Sequence, residues 1–125
     1  MTKRIDNCFE ILKTNNKKAL ITFLTAGDPN YSLSLEIIES LPKAGADIIE
    51  IGMPFSDPMA DGPSIQASSL RSINAGHKME KTFEIIKCFR KNNSHTPLIL
   101  MGYYNPIYNY GVESFIEKIK ALEVD

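Results

Sequence analysis

The sequence predicts an α/β fold with a parallel sheet. Three apolar runs, at residues 19–25, 46–52 and 97–102, alternate with segments whose apolar residues recur at helical spacing. Continuous apolar runs are typical of strands that are buried on both faces, as in parallel sheets covered by helices. The alternation of strand and helix indicates the same class, because helices connect successive parallel strands in βα repeats.

The first two elements follow from spacing and turn residues. Apolar side chains at i, i+3, i+4 and i+7 predict a short amphipathic helix over residues 5–12. Residues 19–25 (ALITFLT) predict the first strand, because the run is rich in β-branched and aromatic residues. Gly27, Asp28 and Pro29 then indicate a turn.

The second helix and strand have recognisable boundaries. Ser32 is expected to cap a helix over residues 33–41, in which the apolar side chains share one face. Pro42 is expected to disturb the last turn of this helix, and Gly45 to end it. The second strand is then predicted over residues 46–52 (ADIIEIG).

The rest of the chain repeats this pattern. Residues 53–93 are expected to form a long loop and further helices, followed by a third strand at 97–102 and a helix at 112–122. Residues 120–125 resemble the helix-to-strand connection at 43–47, so the chain is expected to end at the start of a fourth strand.

These units predict the first three βα units of a (βα)8 TIM barrel. The chain has 125 residues, whereas a complete barrel needs about 250. Residues 1–125 are therefore predicted to be the N-terminal part of a single TIM-barrel domain. Because an open half-barrel would leave strand edges unpaired, we expect a fragment or a truncated gene product.

Composition excludes several function classes. With 14 basic and 15 acidic residues, the net charge of −1 gives no electrostatic reason to expect nucleic acid or membrane as a partner. The two cysteines, Cys8 and Cys88, lie far apart and lack the spacing of metal ligands. Two reduced packing cysteines are typical of a cytoplasmic protein, which is the predicted location.

Glu50 is the first candidate for chemistry, because it lies late in an otherwise apolar strand. Side chains alternate along a strand, so Ile48 and Glu50 point to one face while Ile49 and Ile51 point to the other. A carboxylate at the C-terminal end of an inward-facing row lies at the mouth where barrel enzymes carry out chemistry. The alternative is a structural glutamate bonded to the backbone or to a lysine.

Asp61 is the second candidate. It lies in the loop that follows the second strand, where prolines and glycines fix the backbone and polar residues supply functional groups. Two carboxylates in different environments commonly divide acid–base and electrostatic work. The alternative is that Asp61 only caps the following helix through Gly62 and Pro63.

These residues match a known family. Residues 50–63 (EIGMPFSDPMADGP), followed by Ile65 and Gln66, resemble the signature of the tryptophan synthase α subunit. Residues 23–29 (FLTAGDP) resemble its first strand and turn, and residues 101–106 (MGYYNP) its third strand and loop. The resemblance covers essentially the whole chain.

The resemblance implies a lyase of tryptophan biosynthesis. This family cleaves indole-3-glycerol phosphate into indole and glyceraldehyde 3-phosphate, a retro-aldol reaction without a metal or organic cofactor in this subunit. Glu50 lies at the position of the general acid and base, and Asp61 at the position that holds the indole N–H. Phe23, Met101 and Tyr103 match positions around the indole ring, with ordinary barrel packing as the alternative.

The resemblance also implies a partner. Family members pass indole to a β subunit, which carries pyridoxal phosphate, within an α2β2 heterotetramer. The residues implied in that contact lie in two loops and are Pro54, Asp57, Pro58, Asn105 and Asn109. The family further implies that Thr25 supports the loop carrying Asp61 through a hydroxyl hydrogen bond.

Members of the family continue beyond the length of this chain. The loops that bind the substrate phosphate follow strands seven and eight, where helix N-termini favour anions. Residues 1–125 alone are therefore expected not to turn over substrate. The alternative function is a truncated, non-catalytic remnant that only binds the β subunit.

Overall fold

The computed structural model describes residues 3–125, and residues 1 and 2 of the predicted domain lie outside the described part. In chain order, its elements are α1 (Arg4–Thr14), β1 (Ile21–Thr25), α2 (Tyr31–Ala44), β2 (Ile48–Gly52), α3 (Pro63–Asn74), α4 (Met79–Asn92), β3 (Leu98–Met101), α5 (Tyr104–Tyr110) and α6 (Val112–Ala121). Within this range, no helix is both long and apolar enough to cross a membrane.

The three strands form one parallel sheet in the order β1-β2-β3, which confirms the predicted class. In the register of the sheet, Glu50 lies between Phe23 of β1 and Ile99 of β3. The next row on the same face contains Gly52, with Thr25 and Met101 beside it. The carboxyl ends of the three strands therefore meet at one edge, which is where parallel sheets place their functional residues.

The hydrophobic core lies between the sheet and its helices. Ile49 and Ile51 of β2 and Leu98 of β3 are fully buried there. They pack with helix residues that include Ile38, Ile85, Ile86 and Phe89. Each such side chain contributes about 1.5–3 kcal/mol when it is fully buried. Because side chains alternate along β2, Glu50 points to the opposite face, away from this core.

Helix α2 begins at Tyr31, before the start that the sequence predicted. Its N-cap is Asn30, whose Oδ1 accepts a hydrogen bond of 3.0 Å from the Leu33 amide, so the assignment of this role to Ser32 is wrong. Asn30 has extended backbone geometry immediately before the first helical residue, as an N-cap requires, whereas Ser32 already lies inside the helix. The helix continues past Pro42 and ends at Gly45, whose φ is +110°.

A second difference concerns residues 104–110. The sequence predicted a loop that contains Asn105 and Asn109, but both residues lie in helix α5. This helix of 7 residues is anchored by Tyr110, whose ring contacts the rings of Phe83 and Phe115. Tertiary packing therefore stabilises a helix too short to form on its own.

A buried carboxylate connects distant parts of the chain. The Asp125 side chain is fully buried and accepts hydrogen bonds from Arg4 of α1 at 3.1 Å and Arg90 of α4 at 2.7 Å. It also accepts a bond of 3.0 Å from the amide of Leu98, at the start of β3. These contacts fix α1 and α4 at the amino end of the sheet, opposite the strand ends that carry the candidate residues.

Candidate active site

Glu50 lies on the face of the sheet opposite the hydrophobic core. Phe23 and Ile99 flank it in the register, so its immediate neighbours are apolar. The side chain is partly exposed, and within residues 3–125 it makes no hydrogen bond or ion pair. A structural role through a backbone or lysine contact, the alternative left open by the sequence, therefore has no support in the described chain.

Four of the predicted residues line one small cavity: Phe23, Asp61, Met101 and Tyr103. Its volume is about 10 Å³, room for about one water molecule. The ring of Phe23 lies directly over Gly52, because a Cβ at Gly52 would be 2.5 Å from Cζ of that ring.

Asp61 is held in this cavity by Tyr103. The Tyr103 hydroxyl donates to Oδ2 of Asp61 at 3.1 Å and accepts a bond of 2.8 Å from the amide of Ala60. The Tyr103 ring also packs on Phe55, with 5.1 Å between ring centroids. One tyrosine between β3 and α5 therefore holds both the backbone and the carboxylate of the loop that follows β2.

Asp61 does not cap helix α3. The N-cap of this helix is Gly62, with Pro63 in the first turn, and no side chain caps it. The Asp61 carboxylate is therefore directed toward Tyr103 and the cavity and is not used by the helix terminus. This geometry disfavours the purely structural alternative for Asp61.

The Thr25 hydroxyl contacts helix α3 and not the loop that carries Asp61. Its hydroxyl lies 2.6 Å from the hydroxyl of Ser68, in helix α3, and both groups are buried. The expected hydrogen bond from Thr25 to the loop of Asp61 is thus wrong, since the contact is to the helix after that loop. Any effect of Thr25 on Asp61 must pass through α3.

The residues predicted to contact a partner lie on the surface near this site. Asp57, Asn105 and Asn109 are exposed, whereas Pro54 and Pro58 are partly buried. Asp57 accepts a hydrogen bond of 2.7 Å from the Ser56 hydroxyl. The Asn109 amide donates to Asn105 Oδ1 at 2.7 Å, one turn apart along α5.

Sequence reasoning missed the polar residues of helix α3. Ser68, Ser69 and Ser72 are all buried, although serine is usually exposed. Ser69 lines the same cavity as Asp61. Their spacing could have predicted this burial, because residues 68, 69 and 72 lie on one face of a helix.

In the described part of the chain, no group of histidine, cysteine and acidic side chains is arranged to hold a metal ion.

The match to known proteins covers nearly the whole chain. A family profile described as the tryptophan synthase alpha chain matches residues 9–125. The chain belongs to this family. The predicted resemblance is confirmed, and with it the α/β-barrel class, of which this chain contains a part.

Solved structures of the family superpose closely on the chain. The tryptophan synthase subunit alpha of Legionella pneumophila is 42% identical, with a TM-score of 0.96 over 100% of this chain. Tryptophan synthase of M. tuberculosis, in an aminoacrylate-bound form, is 30% identical, with a TM-score of 0.91 over 98% of this chain. A tryptophan synthase complex from Pyrococcus furiosus is 48% identical, with a TM-score of 0.81 over 86%.

The chain spans only about half the length of these structures. It covers 48% of the Legionella chain, 49% of the M. tuberculosis chain and 43% of the Pyrococcus chain. The remaining part of each of those chains has no counterpart in this sequence.

Proposed function

We propose that this chain contributes the N-terminal half of a tryptophan synthase α subunit, a lyase of tryptophan biosynthesis that cleaves indole-3-glycerol phosphate into indole and glyceraldehyde 3-phosphate. The observation that carries the proposal is the placement of two carboxylates at the carboxyl edge of the sheet. Within residues 3–125, Glu50 has no partner there, and Asp61 is held by Tyr103. Two acidic groups in such different surroundings suit different catalytic roles.

Glu50 is the proposed general acid and base. A retro-aldol cleavage requires a proton on C3 of the indole and removal of the proton from the adjacent side-chain hydroxyl. When the bond between C3 of the indole and the hydroxyl-bearing carbon breaks, the hydroxyl oxygen becomes the aldehyde carbonyl oxygen. The bonding electrons return to the indole. An unpaired carboxyl group can exchange protons at both positions, which is supported by the absence of any Glu50 hydrogen bond within residues 3–125.

Asp61 is the proposed electrostatic partner. Protonation at C3 places positive charge on the indole ring, and a carboxylate that accepts the ring N–H would stabilise it. The Tyr103 contact supports this role, because it fixes one oxygen of Asp61 and leaves the other available. Phe23 and Met101 would then surround the apolar ring.

A β subunit is the proposed partner, in an α2β2 assembly in the cytoplasm, with pyridoxal phosphate belonging to that subunit. Near the proposed contact residues lie large side chains that are unusually exposed. Met59 is 84% exposed, and Tyr104 and Tyr108 are 64% and 66% exposed. Aromatic residues and methionine are enriched where proteins meet.

The proposed location in the cytoplasm is supported by the cysteines. The two free thiols, Cys8 and Cys88, suit a reducing compartment.

The test uses a chimaera in which residues 1–125 are followed by the second half of the Legionella subunit. Glu50→Gln should lower indole release by about a thousandfold, within the range that general acid–base groups contribute. Glu36→Gln, on the exposed face of α2, is the matched control and should retain activity. Substantial activity in the Glu50 variant would remove this residue from its role.

A second candidate is a non-catalytic remnant that only binds the β subunit. It is favoured by the exposed large side chains near the proposed contact residues, namely Met59, Tyr104 and Tyr108. The 125-residue chain should then bind the β subunit and release no indole. Indole release by this chain alone would contradict the remnant function.

A further inference from the structure

A hydroxyl relay connects the end of β1 to the start of α3. The Thr25 and Ser68 hydroxyls lie 2.6 Å apart, and the Ser68 hydroxyl donates to the carbonyl oxygen of Ile65 at 2.9 Å. A serine hydroxyl has one hydrogen, so Thr25 must be the donor to Ser68. The relay therefore runs in one direction, from Thr25 through Ser68 to the first turn of the helix.

That first turn in turn holds Asp61. The side-chain amide of Gln66 donates to the backbone carbonyl oxygen of Asp61 at 2.8 Å. The Gln66 backbone amide donates to the carbonyl oxygen of Gly62 at 3.0 Å, so the same residue is fixed in the helix. Gln66 is exposed, and its side chain therefore has no packing role that would explain this conformation.

Two more contacts connect α3 to the turn after β1. The buried hydroxyl of Ser72 donates to the Ala26 carbonyl oxygen at 2.6 Å. Arg71 binds both carboxylate oxygens of Asp28, each at 2.8 Å. Successive turns of α3 thus contact the end of β1 and the turn that follows it.

Pairing between β1 and β2 fixes the position of the end of β1 relative to Glu50. Thr25 pairs with Gly52 in the sheet, and Phe23 pairs with Glu50 itself. The path from Glu50 to Asp61 therefore consists of sheet pairing, the Thr25–Ser68 relay and the Gln66 hydrogen bond. Gln66 also donates to the carbonyl oxygen of Pro58 at 3.5 Å, in the loop that precedes Asp61.

We propose that Ser68 and Gln66 are positioning residues, which set the location of Asp61 relative to Glu50 through the Thr25–Ser68–Ile65 relay and the Gln66–Asp61 hydrogen bond. This inference rests on the proposed function, since it concerns the same two carboxylates. Neither residue contacts the reacting atoms. Their effect is on geometry, where small displacements of a catalytic group cost large factors in rate.

The test measures indole release by the same chimaera with two variants, Ser68→Ala and Gln66→Ala. Each should lower kcat about tenfold and change KM by less than about twofold, because Asp61 acts on charge that develops in the transition state. Ser64→Ala is the matched control, since Ser64 lies exposed in the first turn of α3 and its hydroxyl makes no hydrogen bond within residues 3–125. It should leave kcat unchanged.

A double variant separates positioning from stability. Ser68→Ala alone leaves the Thr25 hydroxyl buried and unpaired, which lowers the melting temperature. Thr25→Val with Ser68→Ala removes both hydroxyls, so the melting temperature should recover. A positioning role predicts that kcat stays low in this double variant. Recovery of kcat together with stability would overturn the proposal, as would single variants as active as Ser64→Ala.

The same measurements distinguish failure of the inference from failure of the proposed function. A folded chimaera with unmodified residues 1–125 that releases no indole would refute the proposed function. An active chimaera that is sensitive to Glu50→Gln but insensitive to Ser68→Ala and Gln66→Ala would refute only the positioning role.

Discussion

Glu50 and Asp61 are treated differently by their surroundings, although both are carboxylates at one edge of the sheet. Glu50 is the one charged residue within the three described strands, and it has apolar neighbours on both sides. Asp61 lies in a loop and is bonded to a tyrosine hydroxyl. A carboxyl group without a partner is free to turn toward a substrate, whereas a carboxylate bonded to a tyrosine hydroxyl is held in one orientation. The division of roles that we propose follows from this contrast.

His77 is a buried residue outside the proposed site. Its side chain lies behind the turn that follows β1, and its Nε2 is 2.8 Å from the hydroxyl of Thr82. Within residues 3–125, Nδ1 makes no hydrogen bond. Burial, with a smaller effect from the charge of Lys81, lowers the pKa of His77 from 6.5 to about 4. His77 is therefore neutral in the folded protein at neutral pH.

The lowered pKa predicts acid sensitivity. Between pH 6.5 and about 4, the unfolded chain binds a proton at His77 that the folded chain does not. Stability should therefore fall as the pH falls through this window, by about 3 kcal/mol in total. His77→Gln should flatten the pH dependence of the urea midpoint, and His95→Gln, at an exposed histidine, should leave it unchanged. Equal pH dependence in the native and His77→Gln chains would contradict the prediction.

At the scale of elements, the turn after β1 depends on a close approach between backbone and ring. Gly27 has a φ of +78°, and a Cβ at this position would overlap Nδ1 and Cγ of the His77 ring. Its amide donates to the buried hydroxyl of Ser34 at 2.9 Å, so the turn is fixed from the α2 side as well. Only glycine satisfies both the dihedral angle and the space.

Gly27→Ala should therefore be strongly destabilising. The left-handed conformation costs about 1–2 kcal/mol for a residue with a Cβ, and the contact with His77 adds about 1–3 kcal/mol. Gly76 has the same φ of +78°, but a Cβ at Gly76 would meet no other atom within 4 Å in the described chain. Gly76→Ala should thus lose only the free energy that the left-handed conformation costs. Urea denaturation of both variants measures the difference, and equal losses would show that the His77 contact contributes nothing.

At the scale of the whole molecule, the two ends of the sheet are held by different contacts. Ion pairs hold the amino end, and hydrogen bonds of hydroxyl groups hold the carboxyl end. The Asp125 side chain is fully buried and is bonded to Arg90, whose side chain is only 8% exposed. Glu123, which also pairs with Arg4, is 57% exposed. The two acidic residues lie two positions apart but differ in solvent access, so their contributions to stability should differ.

Asp125→Asn should destabilise the chain by about 3 kcal/mol, because it leaves the Arg90 charge buried without its partner. Glu123→Gln is the matched control and should cost less than about 1 kcal/mol, as is usual for an exposed ion pair. The free energies of unfolding from urea titrations test both values. Similar losses in the two variants would mean that burial of Asp125 does not decide its contribution.

The sequence by itself determined the class, the order of the strands and helices, and the two candidate carboxylates. These features depend on local patterns, namely apolar runs, helical spacing and the residues of one continuous segment. The strands were placed within two residues of their observed bounds for the same reason. The family resemblance rested on equally local motifs.

Only the tertiary structure decided which side chains hold Asp61 and the helix that follows it. Thr25 and Ser68 are 43 residues apart, and Tyr103 and Asp61 are 42 apart. No spacing rule within one segment relates such residues. The short helix α5 also depends on distant contacts, since Tyr110 packs on Phe83. Local periodicity fixes where an element forms, whereas hydrogen bonds across elements depend on how the elements pack, and packing is a property of the folded chain as a whole.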